Sequence, residues 1–175
     1  HLAIDSELIY VGDEGITEDT GIGSTREGIE FTTYYHLTPT ITLDLEYANT
    51  RARFDEFLDG SRLIPGALKQ VLTTGVHWQM NDSFFTNVKW RHFDNYPLDG
   101  GETAKGSDLI NVRFGYTPTE QLKITLDVLN ITNSKDHDIE YFYESQLPGE
   151  TEPVADHHYH AFEPRTARLY VEWVF

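Results

Sequence analysis

The chain has 175 residues and carries 29 Asp and Glu against 13 Lys and Arg, a formal net charge of −16. That length fits one domain, and that charge argues against nucleic acid as a partner, because phosphate backbones are bound by basic surfaces. Cysteine is absent, so disulfides and thiolate metal sites are excluded, and no run approaches the roughly 18 apolar residues of a membrane helix.

The mean hydropathy of −0.46 does not exclude a membrane, since a transmembrane barrel strand alternates lipid-facing and lumen-facing residues and averages low. Period 2 dominates the chain and predicts strands. The first spans 2–11. The second, 28–37, sets Ile29, Phe31, Thr33 and Tyr35 against Glu30, Thr32, Tyr34 and His36. The third, 40–53, sets Ile41, Leu43, Leu45 and Tyr47 against Thr42, Asp44 and Glu46. The fourth, 69–79, carries Leu72, Thr74, Val76 and Trp78 on its apolar face. The fifth, 84–93, opposes Phe84, Val88 and Trp90 to Asn87, Lys89 and Arg91, and the sixth, 108–116, opposes Ile110, Val112 and Phe114 to Asn111 and Arg113. The seventh, 121–131, sets Leu122, Ile124, Leu126 and Val128 against Lys123, Thr125 and Asp127. The eighth is the terminal run 165–175, with Leu169, Val171, Trp173 and Phe175 on one face and Arg168 and Glu172 on the other. No segment has a helical period.

The connections alternate in length. Residues 37–40, 79–83 and 117–121 are tight turns rich in Pro, Asn and Asp, whereas 12–27, 54–68, 94–107 and 132–165 are long. In an up-and-down meander this puts every short turn at one end and every long loop at the other. Outer-membrane barrels show that asymmetry, with short periplasmic turns and long extracellular loops. The expected fold is therefore all-β: an antiparallel meander of about eight strands in a transmembrane β-barrel. Its lipid face is apolar with aromatics near strand ends. Its lumen face carries Glu30, Asp44, Glu46, Lys89, Arg91, Arg113, Lys123, Asp127, Arg168 and Glu172. Periodicity alone fits a soluble β-barrel or sandwich, binding a small ligand, with the faces inverted. Loop sorting and the aromatic terminus favour the membrane.

Several stretches carry a family resemblance: SELIYVGDEG (6–15), REGIEFTTYY (26–35), ITLDLEYANTRARF (41–54), IPGALKQV (64–71), LKITLDVLNITNSK (122–135), IEYFYESQLPGE (139–150) and EPRTARLYVEWVF (163–175). Over nearly its whole length the chain resembles the C-terminal part of a TonB-dependent outer-membrane receptor. The resemblance implies a barrel of twenty-two strands, of which these residues supply an eight-stranded fragment without the plug domain or the TonB-binding box. It implies energised uptake of a scarce ligand such as an iron chelate, another metal complex or cobalamin. It also implies TonB and the plug as partners through the parent receptor, outer-membrane lipid around it, and barrel-assembly machinery reading Trp173 and Phe175. Tyr170 stands where the usual assembly signal has Gly. A self-contained eight-stranded outer-membrane barrel with a structural or adhesive role is the alternative within the membrane.

One cluster has metal-ligand chemistry. ADHHYHAFEP (155–164) holds Asp156, His157, His158 and His160, and in an extended segment His158 and His160 point the same way. Only two ligands converge there, which also fits a polar loop without metal. The acidic stretches VGDEGITEDT (11–20) and FDEFLDG (54–60) lack calcium-loop spacing. There is no nucleophile elbow, no HExxH and no glycine-rich phosphate loop, so no enzyme and no cofactor is expected.

Overall fold

The computed structural model describes residues 1–175 throughout. Its main sheet is an antiparallel meander. In spatial order it runs β1 (Leu2–Ile4), β4 (Ser24–Thr38), β5 (Ile41–Leu58), β7 (Gln70–Gln79), β8 (Phe84–Phe93), β11 (Ser107–Thr119), β12 (Leu122–Leu129) and β15 (Thr166–Trp173). β6 (Ser61–Leu63) pairs with the overhang of β5. The edge strands β1 and β15 do not pair with each other, so these residues form an open arc. No helix is long and apolar enough to cross a membrane, which bears on helices only.

The short turns all fall at one end, and two of the three use side-chain oxygens as backbone acceptors. Thr38 Oγ1 accepts from the amides of Thr40 and Ile41 at 3.2 and 3.0 Å. Asn81 Oδ1 accepts from those of Ser83 and Phe84 at 2.9 and 3.0 Å. Both are the local bonds that make Thr and Asn turn residues.

The long connections are not plain loops, and here the sequence reading needs correcting. The expected strand over 2–11 is broken after Ile4. Its second half, β2 (Leu8–Val11), turns through Gly12–Gly15 onto β3 (Ile16–Asp19) as a separate hairpin. A second pair, β9 (Tyr96–Pro97) with β10 (Thr103–Ala104), folds around a single 3-10 turn at Asp99–Gly101. A third hairpin, β13 (His137–Ser145) with β14 (Val154–Ala161), stands before the last strand. Strands β4 and β5 outrun their expected bounds because the Asp59–Gly60 turn, with φ of 49° and 80°, closes the β5–β6 hairpin beyond them.

Packing is concentrated at the long-loop end. The buried apolar side chains are Phe54, Ile64, Leu98, Ala104 and Val112, and four of these five belong to the loops or the overhang of β5. The sheet itself has no core of its own on either face.

Candidate functional site

Residues opposite one another in an antiparallel pair point to the same side of the sheet, so the register traces each face. One row runs Tyr35, Leu43, Val76, Val88, Val112, Val128 and Ala167. The next, toward the short turns, runs Ile41, Trp78, Thr86, Phe114, Leu126 and Leu169. It is followed by Phe84, Tyr116, Ile124 and Val171, with Phe84 and Tyr116 stacked at 4.3 Å. This apolar face is uncovered: Leu169 is 66% exposed and Val171 63%.

The opposite face is polar. Its longest row is His36, Thr42, His77, Asn87, Arg113, Asp127 and Arg168. A second row runs Tyr34, Asp44, Gly75, Lys89 and Asn111, and a third Thr32, Glu46, Thr73 and Arg91. Glu30 stands opposite Ala48, and Lys123 opposite Glu172. All ten charged residues assigned to one face by alternation therefore share it. Arg113 grips Asp127 with two bonds, Nε to Oδ1 at 2.6 Å and Nη2 to Oδ2 at 2.7 Å. Arg168 bonds Glu163 at 3.1 Å, Lys89 lies 3.4 Å from Asp44, and Arg91 reaches Asp138 on β13 at 3.3 Å. Glu30, Glu46 and Glu172 make no ion pair.

At the long-loop end all four connections meet around a cavity of about 170 Å³. Tyr10 comes from the β2–β3 hairpin, Pro65 and Leu68 from the segment before β7, Tyr96, Leu98 and Asp99 from the third loop, and Ile139 to Tyr141 from β13. The hairpins lock onto one another here. Tyr10 and Tyr141 rings are 5.3 Å apart, and the Tyr96 hydroxyl accepts the Glu140 amide at 2.8 Å. Burial pushes the Tyr96 and Tyr141 phenols above their ordinary pKa. Burial likewise raises the Asp99 carboxyl, with Asp13 and Asp59 adding repulsion from two other loops.

The histidines gather beside this cavity, though not as expected. Glu140, 4% exposed, bonds His137 Nδ1 and lies 3.5 Å from His157 Nδ1. His157 Nε2 points toward Glu102 at 3.8 Å. Asp156, His158 and His160 do share the other side of β14, opposite Tyr143, Tyr141 and Ile139. Yet His158 is stacked on Tyr143 at 3.8 Å with its Nε2 buried and unpartnered, while His160 stands exposed at a cleft near Arg91 and Glu163. No group of three or more His, Asp or Glu side chains is arranged to hold a metal ion.

Two features escaped the sequence reading. One is Asn130, 2% exposed with φ 48°. Its amide side chain donates to the Ser134 and Glu163 carbonyls and accepts from the Ser134 amide. The other is the distribution of charge. The long-loop end, residues 5–23, 55–69, 94–106 and 130–165, holds 20 acidic and 5 basic side chains, net −15, out of −16 for the chain. A tally per segment would have found it.

No protein-family model matches the chain, and no curated protein sequence does. Solved structures match its fold. The ferric-catecholate import receptor Fiu of E. coli K12, in its closed form, superposes with a TM-score of 0.70 at 20% identity over 97% of this chain and 23% of that one. The siderophore receptor PiuA of Acinetobacter baumannii gives 0.70 at 13% identity, over 97% and 24%. The ferric yersiniabactin uptake receptor FyuA of Yersinia pestis gives 0.67 at 15%, over 88% and 24%. The fold is that of the TonB-dependent receptor barrel. The chain spans about a quarter of the length of those structures. Its open arc superposes on a portion of such a wall.

Proposed function

We propose that these residues are the C-terminal wall of a TonB-dependent receptor in a bacterial outer membrane, which takes up a scarce ligand such as an iron chelate, another metal complex or cobalamin. The observation that carries this reading is the uncovered apolar face. A soluble sandwich or barrel would bury it, and a contiguous apolar face of this extent in water marks a lipid or partner surface. In a membrane barrel that face meets lipid. The opposite face, with Glu30, Asp44, Glu46, Lys89, Arg91, Arg113, Lys123, Asp127, Arg168 and Glu172, then lines the lumen against the plug. The unpaired edges β1 and β15 favour a share of a larger wall over a self-contained eight-stranded barrel.

In this reading the four long connections lie outside the cell and capture the ligand. TonB supplies energy through parts of the receptor beyond these residues. Trp173 closes the last pair of β15, opposite Leu122, and Phe175 stands free past it, which suits recognition by assembly machinery. Nothing in the loop chemistry calls for catalysis.

The test is energised uptake. Cells producing the full-length receptor should concentrate ligand from the outer fraction only when TonB is present, and deleting Phe175 should reduce the amount assembled. Uptake unchanged by loss of TonB would overturn the transport reading. Recovery of the protein in the aqueous fraction would overturn the membrane reading.

A further inference from the structure

The loop cavity has a chemistry of its own, and the inference drawn from it rests on the receptor reading above. Its walls are aromatic and aliphatic: Tyr10, Phe93, Tyr96 and Tyr141, with Leu68 and Leu98. Its polar lining includes three carboxylates, Asp99, Asp138 and Glu140, and neither Lys nor Arg. Two of the carboxylates are already engaged. Asp138 holds Arg91, and Glu140 lies between His137 and His157. Asp99 has no partner of either kind; its side chain makes no ion pair and no hydrogen bond to another residue. It sits at the rim of an apolar cavity with Asp13 and Asp59 near enough to repel it. The surrounding loops carry net −15.

We propose that this cavity is a subsite for an organic cation, an ammonium or guanidinium group borne on a small apolar body, with Asp99 as its counter-charge. Aromatic faces such as those of Tyr10, Tyr96 and Tyr141 attract a cation through the ring quadrupole, the Phe93 ring already carrying the Arg91 guanidinium at 4.7 Å, and a free carboxylate at the rim completes that attraction. The volume of about 170 Å³ is close to the roughly 150 Å³ of an engineered cavity that accepts benzene, so the occupant is about one ring in size. The same field repels anions, because like-charge juxtaposition disfavours the wrong ligand. The captured ligand is therefore cationic at the part that enters this cavity. A metal ion is not the occupant, since no three donors converge.

The experiment uses the full-length receptor in a non-ionic detergent at low salt, with three probes that share a benzyl group: benzyltrimethylammonium, benzyl alcohol and phenylacetate. Binding is read by titration calorimetry, with empty micelles subtracted. The cation should bind about tenfold more tightly than the alcohol, and phenylacetate more weakly than either. Asp99→Asn should bring the cation to within about threefold of the alcohol while leaving the alcohol unchanged. Asp99 is exposed at its rim, so the variant folds, which circular dichroism checks. Phenylacetate binding as tightly as the cation, an undiminished preference in Asp99→Asn, or no binding of any probe would each overturn the proposal. A folded β signal that persists only in detergent would leave the receptor reading standing in every one of those cases.

Discussion

Asp44 and Lys89 lie two strands apart, with β7 between them, yet their charged atoms meet at 3.4 Å. The residue between them in the row is Gly75. A Cβ at Gly75 would fall 1.9 Å from Asp44 Oδ2, so glycine there lets the carboxylate lie over the neighbouring strand toward the ammonium. The atom in the way is the end of a flexible side chain, which can swing aside. Gly75→Val should therefore keep the fold, changing stability by no more than about 1 kcal/mol. It should abolish the coupling between Asp44→Asn and Lys89→Gln, from about 0.5 kcal/mol to near zero. A double-mutant cycle in both backgrounds, by guanidinium unfolding in lipid, checks this.

Arg113 and Asp127 make the strongest pair on that face. Asp127 has a side chain only 9% exposed, while the guanidinium is half in solvent. Removing the cation leaves a nearly buried carboxylate without its fork. Arg113→Met should cost about 1–2 kcal/mol, less than a fully buried pair because the guanidinium is half exposed. Arg113→Lys should recover only part of it, since an ammonium cannot bond both oxygens at once. Equal stability of Lys and Met at this position would contradict the account.

Asn130 fastens the end of β12 to the segment that leads into β15. Its four side-chain bonds would all be lost in Asn130→Ala, and alanine would also inherit a φ of 48°. The expected cost is about 2–4 kcal/mol. Asn130→Gly should cost less than alanine, because only the backbone strain is relieved. The ordering wild type, Gly, Ala in unfolding midpoints is the check.

The β2–β3 hairpin should open in acid. The Ser6 hydroxyl, with the Gly21 amide, bonds the Asp19 carboxylate and holds it below its ordinary 3.8. A lowered carboxyl contributes stability that is present above its unfolded value and is lost as pH falls through the folded one. Amide exchange at Gly21 should therefore accelerate below about pH 4. In Asp19→Asn it should be fast at neutral pH and show no such step.

The main sheet was legible because alternation is a strong signal over long strands: β8, expected at 84–93, is Phe84–Phe93. Opposite residues then fix each face without further information. The β2–β3 and β9–β10 hairpins were not legible by periodicity, since strands of two to four residues show too few alternations to count; β13 and β14 are nine and eight residues long, but β13 carries aromatics on both faces, Tyr141 and Tyr143 on one and Phe142 on the other, which blurs its alternation. Their turns did leave a mark. Asp59–Gly60 between Leu58 and Ser61 is a two-residue hairpin signal, and it was read only as acidic. The cavity was out of reach for another reason. Tyr10, Leu68, Tyr96 and Tyr141 come from four separate connections, and nothing in one connection announces the others.

The central claim is that the uncovered face meets lipid, and because these 175 residues hold no cysteine, a full-length receptor cleared of cysteine elsewhere makes it directly testable. Single cysteines placed in turn at residues 167–172 carry a spin label in lipid-reconstituted full-length receptor, and their collision rates with oxygen and with a water-soluble nickel chelate are compared. The account predicts an alternation of period two, with oxygen favoured at positions 167, 169 and 171 and the nickel chelate at 168, 170 and 172. The opposite phase, or no alternation, would contradict it.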